Sequence, residues 1–230
     1  MTEIFLNFIC VATAYLVGSI SSAILVCRLA ELPDPRTEGS KNPGATNVLR
    51  IGGKKYAIMV LMADLLKGLL PLLLAHALNL SSSAMAYTCL AAVAGHMYPV
   101  FFKFKGGKGV ATALGAFLGF HFIMGSVAIA TWLIVANFTR LSSLASIVAI
   151  TLMPFYSLFV TGNLNAFYPL LLIAIFVLYQ HRENISRLVV GMEPKINIKR
   201  SISTKTDTAT KKKTTPKKST KKVAKKGVKK

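Results

Sequence analysis

The sequence predicts an all-α integral membrane protein of seven transmembrane helices, followed by a separate polybasic tail. Three observations lead there. The 230-residue chain is 53% hydrophobic, with a mean hydropathy of +0.54, yet it carries a formal net charge of +20. The charge is unevenly placed: residues 195–230 hold 15 of the 28 Lys and Arg and one acid, Asp207, so the tail carries +14 and residues 1–194 only +6. The body contains uncharged apolar runs of up to 30 residues, and about 20 suffice to cross a bilayer. Soluble globular, collagen-like and disulfide-stapled classes are thereby excluded. Cys10, Cys27 and Cys89 lie in or beside apolar runs with neither CxxC spacing nor a paired pattern, so no disulfide framework or Cys-ligated metal is expected.

The first expected span is residues 4–27, 24 residues without a charge. Glu3 precedes it where a cleaved signal peptide would carry Lys or Arg, and it is too long for one, so it reads as a retained span. A polar loop, 28–55, follows with Pro33, Pro35, Pro43 and several glycines. The second span, 56–75, is interrupted by Asp64 and Lys67 at i, i+3, each costing about 2.5–3.5 kcal/mol unpaired at mid-helix, so they are expected to pair with each other or with loop charges. The third span covers 84–102 and ends in a basic loop, 103–108.

Residues 110–139 contain no Asp, Glu, Lys or Arg, more than one span and fewer than two of standard length. The positive-inside rule decides the count. With two short spans meeting near 121–125, the basic segments 28–55 and 103–108, Arg140 and the tail all fall on the cytoplasmic side. The opposite loops, 79–83, 120–126 and 161–165, then hold no Lys or Arg. One long span would send Arg140 and the tail outward. Residues 141–180 add two spans broken at 161–165, giving seven, with the N-terminus outside and the C-terminus cytoplasmic. Closed backbone hydrogen bonding in lipid makes them helices. The chain thus divides into a membrane domain, 1–194, and a disordered Lys-rich cytoplasmic tail, 195–230.

Three glycine-rich or basic segments gather on the cytoplasmic face. In residues 39–54, glycines including Gly44 allow close backbone approach, while Ser40, Asn42, Thr46, Asn47 and backbone amides can donate to an oxyanion, and Arg50 can bind phosphate in a bidentate manner. The competing reading is a polar connector built of turn residues. In residues 95–112, Lys105 and Lys108 flank Gly106-Gly107, with Gly109 and Thr112 opening a helix, so amides at a helix N-terminus and ammonium groups can converge on one phosphate. A basic membrane-surface turn would explain the lysines and leave the glycines unexplained. The spacing is not that of a Walker A loop, and a nucleotide is not implied. In the third segment, 181–193, a continuing helix would put His181 and Asn184 on one face, able to orient a hydroxyl or phosphoryl oxygen. His76 and His121 fall near the outer face without a second ligand.

The runs GSKNPGATNVLRIGGK, GHMYPVFFKFKGGKGVAT and HRENISRL, in this order on a seven-span chain, resemble the bacterial acyl-phosphate:glycerol-3-phosphate acyltransferase family. The resemblance spans about residues 18–193, with Lys41 as a departure where many members have Gly or His. It implies transfer of a fatty acyl group from acyl-phosphate to sn-glycerol 3-phosphate, giving lysophosphatidic acid and phosphate, in the bacterial cytoplasmic membrane. It implies no cofactor, no metal and no acyl-CoA or acyl carrier protein as direct donor; the HxxxxD pattern of the other glycerol-phosphate acyltransferase class is absent at all four histidines. The implied catalytic residues are Ser40, Arg50, Lys108, His181 and Asn184. The implied substrate-binding residues are Asn42, Gly44, Thr46, Asn47, Lys105, Gly106, Gly107, Gly109, Thr112, Ser143 and Ser146. Either His181 or the donor's phosphate would take the hydroxyl proton, with His96 a weaker candidate. Expected partners are the two substrates, membrane lipids and the enzyme that makes the acyl-phosphate. The tail is expected to contact anionic lipid headgroups, with nucleic acid as the competing ligand. A transporter of phosphorylated metabolites would need polar residues on several spans and on the outer side, where this chain is bare.

Overall fold

The computed structural model describes residues 2–196, and every regular element among them is helical. All of the expected tail beyond Ile196 lies outside the described residues. The first apolar run forms α1 (Thr2–Gly18) and α2 (Ser22–Leu29), separated by a break at Ser19–Ser21 inside a single candidate span of 27 residues. A connector leads to α3 (Ala45–Gly52), then to α4 (Lys54–Ala77) and α5 (Ser82–Met97), the last started by Ser81, whose hydroxyl accepts from the Ala84 amide. A 3₁₀ turn, Val100–Phe102, ends that span.

The long uncharged run breaks at His121 into α6 (Val110–Phe120) and α7 (Phe122–Thr139), inside the range where the charge pattern required a break. Then come α8 (Ser142–Thr151) and α9 (Met153–Thr161), which together form one span, α10 (Leu164–Gln180), and α11 (Arg182–Val189), set at 62° to α10. Among the described residues, five segments are long and apolar enough to cross a membrane, and six if the bent pair α10–α11 forms one span. The seventh apolar segment, α6, is only about 16 Å long at 1.5 Å per residue.

Short as it is, α6 is the central helix: every residue from Thr112 to Phe120 except Leu118 is buried. Glycines let it approach α4 closely. A Cβ on Gly115 would overlap the Leu65 carbonyl, and one on Gly68 of α4 would overlap that of Thr112. The same device pairs α1 with α5, where Gly18 faces the Ala92 carbonyl and Gly95 that of Tyr15. Around α6 the buried core gathers Leu72, Met97, Phe117, Met124, Ile150, Met153, Leu170 and Ile173. Large apolar residues such as Phe122, Phe138 and Phe159 stay exposed on the outside of the bundle, as a lipid-facing surface requires.

The broken first span explains the two charges of α4. Asp64 and Lys67 are both buried and pair at 2.8 Å. Lys67 Nζ also donates to the Ile20 carbonyl at the break, 2.8 Å away, while the Ser22 hydroxyl at the start of α2 donates to Asp64 Oδ1. The pair thus satisfies backbone and side-chain groups that an interrupted helix leaves open in an apolar medium.

Candidate active site

The first segment is shaped by one amide. Asn47, in the first turn of α3, is buried: its Nδ2 donates to the carbonyls of Pro35 (2.9 Å) and Glu38 (3.0 Å), and its Oδ1 accepts from the Ser40 amide (2.8 Å). The chain wraps so tightly that Gly39 sits at φ +63°, where a Cβ would overlap Asn47 Oδ1. Asn47, expected to contact substrate, therefore has its side chain committed to holding Ser40 in place. Upstream, the Arg36 guanidinium grips both Asp34 oxygens, and this hydrogen bonding holds the Asp34 carboxyl below its usual range. Ser40, Thr46 and Arg50 are exposed, and among the described residues none of their side chains bonds to the second or third segment. Asn42 and Gly44 are half-buried, and Gly44 precedes α3 as its N-cap.

The second segment corrects an expectation. The amides of Gly106 and Gly107 do not face outward as phosphate donors; they donate to the Met97 and His96 carbonyls at the end of α5, each at 3.2 Å. What the glycine pair provides is close approach. A Cβ on Gly107 would lie 2.8 Å from the Pro43 carbonyl and 2.3 Å from His96 Nε2, so the first and second segments meet there. The open donors lie further on, in the first turn of α6, which starts after Gly109 at φ +79°. An α-helix leaves its first amides without partners, and their dipoles favour an anion. Lys105 is exposed at the rim, whereas Lys108 is half-buried beside the α6 N-terminus.

The third segment closes on Lys108. Its Nζ donates to Asn184 Oδ1, and Asn184 Nδ2 donates to Glu193 Oε1 at 2.5 Å. Arg187 Nε donates to the other Glu193 oxygen at 2.8 Å. Burial, followed by the Arg187 charge, pushes the Lys108 ammonium below its ordinary range, with Glu193 opposing. His181, at the bend between α10 and α11, is buried, with Nδ1 2.8 Å from the Val177 carbonyl. A carbonyl accepts only, so the ring proton sits on Nδ1 and Nε2 keeps its lone pair. Burial lowers the His181 pKa to about 4; the Val177 contact works the other way and the Lys108 charge adds to the lowering.

That shift has a stability consequence. Because the folded value lies below the ordinary 6.5, the unfolded chain binds more protons between pH 6.5 and 4. Stability is therefore full above pH 6.5 and declines as pH falls toward 4, by as much as about 3 kcal/mol. The unfolding midpoint of detergent-solubilised protein should fall across this window, and less steeply in His181→Gln. Parallel curves would show that His181 does not titrate in this way.

Of the remaining expected residues, Thr112 is fully buried with its hydroxyl on His96 Nδ1, 3.2 Å away, so it does not line an open site. Ser146 is spent as well, accepting from Trp132 Nε1 and donating to the Ser142 carbonyl, which locks α7 to α8. Ser143 is buried beside the Glu193 carboxylate, without a well-formed hydrogen bond. Glu193 was not among the expected site residues; its only signal in the sequence is that it is an acid in a basic segment. The strand of chain that carries it is held down where the Ile196 amide donates to the Arg140 carbonyl at 2.8 Å.

Fold and site together define a multi-pass helical membrane protein in which Lys108, just ahead of the α6 N-terminus, is tied to Asn184 of α11. A model of the glycerol-3-phosphate acyltransferase family matches residues 8–191, and the chain belongs to that family of enzymes. The glycerol-3-phosphate acyltransferase of Legionella pneumophila (strain Corby) is 62% identical over 192 residues, 84% of this chain and 69% of that one. The enzyme of the same name from Thioalkalivibrio sulfidiphilus is 55% identical over 186 residues, 81% of this chain and 92% of that one. Among solved structures, PlsY, an integral membrane glycerol 3-phosphate acyltransferase, matches in its glycerol 3-phosphate form with a TM-score of 0.79 at 40% identity, covering 83% of this chain and 96% of that one. Its lysophosphatidic acid form matches at 0.76 and 39%, covering 84% and 96%.

Proposed function

We propose that the chain transfers a fatty acyl group from acyl-phosphate to the primary hydroxyl of sn-glycerol 3-phosphate, releasing lysophosphatidic acid and phosphate. The observation that carries this reading is the Lys108–Asn184 hydrogen bond just ahead of the α6 N-terminus, with His181 near enough to feel the Lys108 charge, beside a family match to glycerol-3-phosphate acyltransferases. Two multiply charged phosphates must lie side by side for the reaction, and a half-buried cation with oriented amides offsets that charge where water is scarce. The PlsY structures, in forms containing glycerol 3-phosphate and lysophosphatidic acid, support the acceptor and the product.

In this reading the acceptor oxygen attacks the acyl carbonyl, the carbonyl electrons collect on its oxygen, and their return expels phosphate. An acyl-phosphate is already activated, so proximity and oxyanion stabilisation suffice and no acyl-enzyme is needed. Lys108 and the first amides of α6 hold phosphate, Ser40 and Arg50 approach from the first segment, and Asn184 orients Lys108. His181 Nε2 accepts the acceptor hydroxyl and aims it. With a pKa of about 4 the ring is a weak base at neutral pH, so the proton passes to the departing phosphate, whose basicity rises as its bond to carbon breaks. We read all seven apolar segments as spans, with the N-terminus outside and this site on the cytoplasmic face of the inner membrane, where the enzyme that makes acyl-phosphate can supply it. Residues 1–194 would be the catalytic domain and the Lys-rich tail a contact for anionic lipid.

The test uses the full chain in detergent or lipidic mesophase with palmitoyl-phosphate and glycerol 3-phosphate, following phosphate and lysophosphatidic acid together. Equal yields of both from palmitoyl-phosphate, and none from palmitoyl-CoA, are expected. Turnover with the CoA thioester alone would overturn the donor assignment.

A further inference from the structure

We propose that His96 is a positioning residue for acyl transfer: it ties the buried Asp64–Lys67 pair to the chain on both sides of Lys108, and so sets where that ammonium and the α6 N-terminus stand. The proposal rests on the reading of Lys108 and α6 as the phosphate site.

His96 lies in the last turn of α5 and is buried. Its backbone carbonyl accepts from the Gly107 amide, the residue just before Lys108. Its ring Nδ1 lies 3.2 Å from the Thr112 hydroxyl, in the first turn of α6, and 3.4 Å from Asp64 Oδ1. One residue therefore holds positions 107 and 112, and Lys108 is carried between them. The other edge of the ring, at Nε2, packs so closely on Gly107 that a Cβ would not fit, and on its far side that Cβ would meet the Pro43 carbonyl of the first segment. The ring thus also limits how near the first and second segments come.

Asp64 is not free to drift with the ring. Ser22 and Lys67 fix it, and Lys67 is fixed by the Ile20 carbonyl. The chain of contacts runs from the break in the first span, through α4 and the α5 ring, to the phosphate segment. Neither ring nitrogen is open to substrate, since Nδ1 is engaged and Nε2 faces Gly107, so His96 is not the base considered for it from sequence. It acts through Lys108 and α6. A side chain that merely filled the space would not hold Thr112 to Asp64. An asparagine, whose amide reaches the Nδ1 position, would.

The experiment compares full-length His96→Leu, His96→Asn and Thr112→Val, measuring kcat, KM for each substrate and the unfolding midpoint. His96→Leu is expected to raise KM for at least one phosphate substrate by about tenfold or more. His96→Asn should return it to within about threefold of the parent, and Thr112→Val should move it in the same direction as His96→Leu. If His96→Leu does not fold, Thr112→Val against His96→Asn carries the same test. A fall in kcat and midpoint with both KM values unchanged means a structural residue only and overturns the proposal, as does the absence of any effect. Lys108→Met run in parallel separates the two readings. If it keeps full activity, the phosphate site itself is wrong; if it is inactive while His96→Leu and Thr112→Val keep parental KM values, only the positioning role falls.

Discussion

Lys108→Met should lower kcat/KM at least about 10³-fold, some 4 kcal/mol of transition-state stabilisation, while leaving the protein folded. Methionine keeps the unbranched stem out to Cε and removes the ammonium with its charge and donors. In the resting protein that charge is partly a liability: burial and Arg187 both press on it, and its folded pKa is lowered accordingly. Its removal should therefore leave the unfolding midpoint unchanged or slightly raised, with Asn184 still held by Glu193. In the proposed reaction the ammonium acts on two phosphates and a tetrahedral oxyanion, so the effect should appear in turnover rather than stability. A loss below tenfold in folded protein would remove Lys108 from the chemistry.

The second large effect is expected on stability. Asp64→Ala leaves the Lys67 ammonium buried with only the Ile20 carbonyl as partner, and breaking a buried pair from one side costs about 3–5 kcal/mol. The double variant Asp64→Ala with Lys67→Met should recover most of this. What remains is the cost of the Ile20 carbonyl and Ser22 hydroxyl left without partners, about 1–3 kcal/mol for such buried groups. Unfolding in detergent, read for both variants and the parent, checks the ordering. If the double variant is no more stable than Asp64→Ala, the buried charge is not the reason for the loss, and the pair matters through its separate hydrogen bonds.

The span pattern was legible because lipid imposes it residue by residue. Uncharged length marks a helix and Lys or Arg marks a loop end, and that was enough to place a break near 121–125, where it falls at His121, and to expect partners for Asp64 and Lys67. The break at Ser19–Ser21 was not visible in the same way. It carries no charge and is satisfied by Lys67, 47 residues away in sequence. Within the site, the segments rich in glycine, Lys108 and the His181–Asn184 pair could be picked out by residue type, since cations, amides and glycines are what phosphate needs. Which of them point at a ligand could not. Asn47, Thr112 and Ser146 have the right chemistry for substrate and use it on the protein instead, and Gly106 and Gly107 spend their amides on α5.

By itself, then, the sequence determined the membrane class, the apolar helical segments and most of the breaks between them, and the family that the three polar segments resemble. These are properties of local composition, and a hydrocarbon solvent reads composition directly. Only the tertiary structure decided that the open donors belong to the start of α6, that Glu193 aligns Asn184 toward Lys108, and that His96 contacts Gly107 and Thr112 on either side of Lys108. A donor or acceptor can satisfy a neighbour or await a ligand, and the choice is made by whichever partner lies within about 3 Å, which depends on how helices far apart in the chain pack against one another.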